Sequence, residues 1–495
     1  MKKNRIIMIP IILLALIVII VMSILDKRTD SSDKTDNKDI TNNLTEAEKK
    51  NAKIITFAVP DDCKVDEDNL QKFNEALGRD GYNYILKLKY LEFDNYAAAL
   101  ESELKNKGVD IAFLGLNDEK GNNNVYDLIN SGLVLNLDEI LSQKPGAVLY
   151  NAFPQKLWES VKCNGHIYSI PSALANDQGV YAAFNREYIA DEDIQKWDGS
   201  IEGIYGIIKN AEWNSSDAPR FQYLINGYSF GDMIGCEIRN GLLLDNESQS
   251  IEKPLESEKF IGYLNVLDQM KKEGYMEDNI SYIGNPGLNN AEVFKNIESG
   301  NYMVALSSGS VAEVFLKDNI TVKKIEPYLS SRINGSIAIS KTTADTADAV
   351  DFLGLLYGDE KYANILLYGQ KDTDYKVMDG VVCNMDGTDL NDKYITKLCL
   401  NLFINIYPVR GESYIDNRRN EFFSFYDTVK LSPFAGFEFD TSGFDSISND
   451  TAEFMNDLNG RTVDEAVIDA GGRLISDGID EYLSSVKKQW KEYLQ

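Results

Sequence analysis

The sequence predicts an α/β protein in which mostly parallel strands are covered by helices. Two observations carry that expectation. Between residues 53 and 114 strand-like and helix-like runs alternate, and strands joined through helices pair in parallel. The alternation restarts at Gly179, after a strand bounded by Pro171, and continues to a helical stretch ending near residue 356. The 495 residues are long enough for two domains.

The chain opens with an apolar run over residues 6–25, preceded by Lys2, Lys3 and Arg5. Such a run is long enough to cross a bilayer as a helix, and its basic leader should stay in the cytoplasm, leaving the rest outside. It ends Met22-Ser23-Ile24-Leu25 without a small-residue cleavage pattern, so an uncleaved transmembrane signal-anchor is expected over a cleaved signal peptide. Residues 26–52 are polar and charged, a composition that predicts a flexible tether. Lys53–Pro60 reads as a strand closed by a Pro-Asp-Asp turn. A helix follows over 69–77, with Leu70, Phe73, Ala76 and Leu77 on one face. Next come a strand over 82–88, a helix over 96–107 and a short buried strand over 109–114. Helices over 135–141 and 152–160 precede the strand at 165–171. A new strand over 179–185 feeds helices over 201–209, 220–230, 259–274 and 291–299, the third closed by Gly274. The strand at 302–306 leads to Ser307-Ser308-Gly309-Ser310, and Ser310 can cap a helix from Val311. A strand over 336–340 and a helix over 343–356 complete the pattern, and there is no internal repeat.

Composition narrows the function classes. Formal charge is −28, and removing the three basic residues of the leader leaves −31 for the rest. Such a surface disfavours nucleic acid and gives no attraction to anionic lipid. Cysteines stand at 63, 163, 236, 383 and 399 with no C-x-x-C pair, and His166 is the one histidine. Together these argue against structural zinc and against any triad that needs histidine. An odd cysteine count cannot pair completely; most are expected to be buried thiols, with Cys163 partly exposed near the Gly165-His166 turn. No metal, cofactor or catalytic residue is expected.

Asn164-Gly-His-Ile-Tyr-Ser-Ile-Pro171, followed by residues 179–188, resembles the N-G-K-x-Y-x-I-P segment and the strand ending in Y-N-K-E of a known family. Glu298-Ser-Gly-Asn-Tyr-Met-Val-Ala-Leu306 resembles its return into the first lobe, and residues 341–357 its helix packing the second. The family is that of extracellular solute-binding proteins, the receptor subunits of ABC importers, which includes maltose-binding protein and lipoproteins of Gram-positive bacteria. Leu356-Tyr-Gly-Asp-Glu-Lys-Tyr362, Leu367-Tyr-Gly369 with Tyr375, and Ser432-Pro-Phe-Ala-Gly-Phe-Glu-Phe-Asp440 with the final helix look like an uncharacterised C-terminal domain of one subgroup, usually assigned to oligosaccharide-type ligands. The resemblance implies a periplasmic-binding-protein-like fold, with two lobes of mixed, mostly parallel sheet around a cleft. It implies a first lobe over 53–172, a second over 173–300, a return to the first over 301–334, the second again over 335–430, and an extension over 431–495. It further implies a receptor, not an enzyme, that delivers an oligosaccharide to ABC permease subunits; the expectation that it is held at the cell membrane, with its body on the extracellular side, comes from the N-terminal apolar run. Family members commonly carry a lipidated cysteine just after the signal peptide; here Cys63 is the first cysteine.

A receptor of this kind closes two lobes over its solute about a few hinge positions. The candidate crossings are 171–179 and 307–334. Sugars take flat aromatic surfaces together with short polar side chains. Trp158, Trp213, Tyr228 and Phe230 are the aromatic candidates, each weighed against ordinary packing. Asn176, Asp177 and Gln178 form either a polar clamp or a solvated hinge. Ser308 and Ser310 flank Gly309 after a buried strand, with a plain helix cap as the alternative. Asp61, Asp62 and Asn117 qualify by position at the carboxyl ends of strands. Glu438 and Asp440 share one face of an alternating run, the one hint of the paired carboxylates of a glycan hydrolase. A surface sensor or structural protein that keeps the fold is the nearer alternative.

Overall fold

The computed structural model describes residues 52–115, 125–171, 179–213, 220–225, 230–276, 295–308, 318–331, 335–390, 407 and 418–495, save 298 and 458–460. The apolar run and tether lie outside these residues, as do Asn117, Asn176, Asp177, Gln178, Tyr228 and Ser310. No helix among the described residues is long and apolar enough to cross a membrane.

The first sheet grows from β1 (Lys53–Pro60), whose last four residues are buried and which pairs in parallel with β2 (Tyr84–Leu91) along its whole length. The connecting α1 (Glu67–Arg79) is capped by the Asp66 carboxylate, which accepts from the Asp68 and Asn69 N–H groups, and it buries Leu70, Phe73, Ala76 and Leu77. From β2 the chain runs through α2 (Tyr96–Lys105) to β3 (Ile111–Phe113), parallel on the other edge of β1. Short helices and the hairpin β4 (Lys162–Cys163) and β5 (His166–Ile167) lead to β6 (Ser169–Ile170). The predicted strand over 165–171 is thus divided between a hairpin and a sheet edge.

Residues 172–178 carry the chain to a second sheet. There β7 (Val180–Asn185) leads to α3 (Ile201–Asn210) and β8 (Phe221–Leu224). The helix expected over 220–230 is replaced by that strand, because Phe221, Gln222, Tyr223 and Leu224 are all buried and pair with a later strand. A satellite antiparallel sheet follows, of β9 (Cys236–Arg239), β10 (Leu242–Asp245) and β11 (Ser250–Glu252), and then α4 (Glu258–Lys272). β12 (Val304–Ser308) joins the second sheet antiparallel to β7 and parallel to β8, and β13 (Ile320–Ile325) covers the other edge of β7. The strand after Gly300 therefore stays in the second lobe, where it had been expected to return to the first.

The return comes later. β14 (Tyr328–Leu329) lies in the second crossing, and β15 (Ile337–Ile339) completes the first sheet between β3 and β6, in the order β2-β1-β3-β15-β6. α5 (Thr346–Gly358) and α6 (Glu360–Tyr368) then cover that sheet. Phe352 sets its ring 6.2 Å from Phe73 and 5.9 Å from Tyr84, so much of the stretch expected in the second lobe packs on the first. A third crossing contains β16 (Lys430–Leu431), parallel to β14. Beyond it, α7 (Asp445–Asp457), α8 (Val463–Ser476) and α9 (Ile479–Tyr493) pack on the second lobe. Phe454, Val463, Ala466 and Ala470 enter its main core. Phe434, Phe437, Phe439, Tyr482, Val486 and Trp490 build a second core against Leu242, Leu244 and Ile251.

Candidate functional site

Strand direction places the ligand edge. In the first sheet β15 begins at Ile337 opposite Phe113, so the chain re-enters at the carboxyl ends of β1 and β3. In the second sheet Ser308 at the carboxyl end of β12 faces Val180, and Leu224 of β8 faces Ser307. Ile325, the last residue of β13, also faces Val180. The carboxyl edges of the parallel strands in both sheets thus point toward the crossings, the place where open α/β sheets bind ligands.

On the first lobe that edge is built from two short turns. Asp61–Cys63 follows β1 and Phe93–Asn95 follows β2. The Phe93 N–H donates to the Asp61 carboxylate at 3.0 Å and joins the two turns. Cys63 is fully buried beneath them, its Sγ 3.3 Å from Asp62 Oδ1. The buried Tyr96 hydroxyl sits 3.1 Å from the Ala58 carbonyl and 3.0 Å from that of Phe113, tying β1 to β3 below the edge. Exposed along these turns are Phe93, 40% exposed, its chain neighbours Glu92, Asp94 and Asn95, and Asp62 and Lys64 of the first turn, beside the half-buried Asp61. A ring face can stack on the C–H face of a sugar, and carboxylates accept hydroxyl protons.

Sequence reasoning missed Phe93. It ended the second strand at residue 88 and nominated only the loops after the first and third strands. The available signal was a lone aromatic in Glu92-Phe93-Asp94-Asn95 just past a parallel strand.

The predicted residues divide. Asp61 and Asp62 stand at the edge, and β12 brings Ser308 to the opposite lobe's edge. Tyr228 lies outside the described residues. Trp158 is a correction: fully buried, it stacks on Tyr150 at 5.1 Å, meets Phe153 edge-on and donates its indole N–H to the Tyr150 carbonyl. No ring face is left for a ligand. Phe230 is another, 2% exposed against Phe260 and Tyr263. Trp213 packs on the main core of the second lobe with its ring 4.8 Å from Tyr188, just past the carboxyl end of β7 and so at the far end of the sheet from the crossings. A cavity of about 600 Å³ near it is lined by Glu187, Tyr188, Asp193, Gly206, Asn210 and Glu212, and belongs to that far end.

The remaining polar candidates are internal or apart. Glu438 is 14% exposed, accepts from Ser331 Oγ at 2.8 Å and lies 4.0 Å from Arg239. Asp440 is exposed and accepts from the Ser442 N–H. The two carboxylates are thus engaged separately. Cys163, expected to be partly exposed, is 2% exposed, and burial pushes its thiol up to about 12. No group of His, Cys, Asp and Glu among the described residues could hold a metal ion.

Among solved structures the chain is similar to the N-glycan transport solute binding protein NgtS of Streptococcus pneumoniae, at 18% identity and TM-score 0.63, over 89% of this chain and 99% of that one. It is similar to an extracellular solute-binding protein of Bifidobacterium longum subsp. infantis at 15% identity and TM-score 0.56, over 90% and 99%. A solute-binding protein of Bifidobacterium longum infantis, described as HMO-binding and ABC-transporter-associated, follows at 14% identity and TM-score 0.54, over 89% and 99%. No protein-family model and no curated protein matches. The fold is therefore the two-lobed α/β fold of ABC-transporter solute-binding proteins.

Proposed function

We propose that this chain is an extracellular, non-enzymatic receptor that binds a carbohydrate-like solute, an oligosaccharide, between its lobes and delivers it to an ABC permease. The observation that carries the reading is the pair of facing carboxyl edges at the crossings, one of them presenting Phe93 among carboxylates. The two turns carry four acidic side chains, Asp61, Asp62, Glu92 and Asp94, against one lysine, Lys64, a balance that disfavours an anionic solute and suits neutral hydroxyls. The similarity to a protein crystallised with Man1GlcNAc, at TM-score 0.55, agrees with an oligosaccharide. The apolar run over 6–25 with its basic leader supports a single-pass anchor with the folded body outside.

The body, residues 53–495, is the unit to test, since it encloses its own cores. A ligand that binds only the native state raises its melting temperature. We expect such a shift with at least one glycan of a broad panel, with no release of reducing sugar. A panel without any shift overturns the receptor reading, and reducing sugar appearing with time overturns the non-enzymatic one. For the anchor, the full chain should stay with membranes through alkaline carbonate washing.

A further inference from the structure

The third crossing does more than connect. Residues 432–440 belong to the second lobe through Phe434, Phe437 and Phe439, yet the first lobe grips them. The hairpin turn between β4 and β5 places Asn164 and Gly165 at φ +49° and +87°, the left-handed pair that tight hairpins need. Asn164 donates its N–H to the Gly436 carbonyl at 2.7 Å, and its side-chain oxygen accepts from the Glu438 N–H at 3.3 Å. Gly436 sits at φ +77°, and a Cβ there would stand 3.1 Å from the Lys162 Cβ, so the two backbones approach closely. Glu438 then ties this segment to the second crossing through Ser331 and faces Arg239 of β9. Arg239 donates to the Phe437 carbonyl at 2.6 Å and holds Glu237 through two nitrogens, at 2.7 and 2.9 Å.

We infer that Asn164 and Glu438 form a latch between the lobes, one that must loosen for them to rotate and that Glu438 makes responsive to acid. The inference rests on the receptor reading, whose lobes must move, and it concerns how that movement is regulated.

The sign follows from the surroundings. Burial pushes the Glu438 carboxyl up, against the pull of Arg239 and Ser331. The other groups facing it are Glu237 from β9, Cys163 from β4 and Tyr126 from the helix Val125–Asn130. Burial raises both Cys163 and Tyr126, so neither brings charge near neutral pH. Asp440, next along the segment, is exposed and held below the ordinary range by Ser442. A neutral Glu438 leaves no orphaned cation, because Arg239 keeps Glu237. If release of the latch hydrates Glu438, its carboxyl returns toward its ordinary value. The latched state then binds the proton more tightly, and acid favours it.

Amide hydrogen exchange on the full chain in detergent micelles, without solute, reads this directly at the N–H groups of Asn164 and Glu438. After correction for intrinsic rates, exchange should slow from pH 7.5 to 5.5, by at most about tenfold per pH unit. Glu438→Gln keeps an acceptor for Ser331 and should be slow at both values. Asn164→Gly keeps the turn, loses the side-chain bond and should be fast at both. A Glu438→Gln protein with the wild-type pH response, or an Asn164→Gly protein with unchanged protection, overturns the latch. No glycan enters the measurement, so its failure is distinct from failure of the receptor reading.

Discussion

Phe93→Ala is the most direct test of the cleft. A phenylalanine can bury about 200 Å². With 40% of the residue exposed, roughly 80 Å² is available for a solute to cover. At about 25 cal/mol per Å² full coverage is worth ~2 kcal/mol, and a sugar covering half of it ~1 kcal/mol. The expected loss of affinity is therefore about 5- to 30-fold. Folding stability should fall as well, by up to about 3 kcal/mol, since the remaining 60% of the residue, roughly 120 Å², is already covered. Isothermal titration of wild type and variant with a glycan that shifts the melting temperature reads the first quantity, and urea unfolding the second. Phe93→Trp, which keeps a ring face, should retain binding. Unchanged affinity in Phe93→Ala would place the solute away from the β1–β2 edge.

Three further outcomes follow from the packing. Gly179→Ala should destabilise the body by about 1–3 kcal/mol in thermal unfolding, because φ is +126° there and a Cβ would stand 2.8 Å from the Ile325 carbonyl oxygen. Trp158→Ala should cost about 3–5 kcal/mol in urea unfolding, the range for emptying a fully buried aromatic site. Burial alone would raise the Asp245 carboxyl, but Lys259 at 2.9 Å and the N–H groups of Glu247 and Ser248 hold it below its ordinary value. Its contribution is thus present above the unfolded value of about 3.9 and lost as pH falls through the lower folded one. Asp245→Asn should remove that part of the acid limb in unfolding curves between about pH 5 and 2.

The alternation over 53–114 was legible because β1 and β3 are compact apolar runs and α1 carries its apolar residues on one face. What the local pattern could not carry was sheet membership. Val304-Ala305-Leu306 and Ile337-Ala338-Ile339 are both short, fully buried runs, yet the first pairs with Phe184, Ala183 and Ala182 and the second with Phe113, Ala112 and Ile111. Nothing within either run distinguishes them; the choice is made by partners far away in the chain, on β7 and β8 for the first run and on β3 and β6 for the second. Reversing these two strands in the expectation also misassigned the helices behind them, since α5 follows β15 onto Phe73. The third crossing was hidden for a related reason. Residues 432–440 acquire their role from Asn164, Ser331 and Arg239, three positions from separate parts of the chain.

The same physics explains why aromatic residues misled. Trp158 and Phe230 have sequence surroundings no more apolar than a binding loop requires, but burial is decided by which helices and strands meet there. Phe93 gains its significance from direction: β2 runs parallel to β1, so the residue just past its end must stand beside Asp61 at the carboxyl edge. A ring exposed at that edge is held in place by a backbone hydrogen bond and by the sheet beneath. A ring at the opposite edge, such as Trp213, can be equally aromatic and still lie about five strand residues, or roughly 17 Å, from the crossings. Strand direction is therefore the property that separates the two, and for this chain it becomes readable only once the partners of β12 and β15 are known.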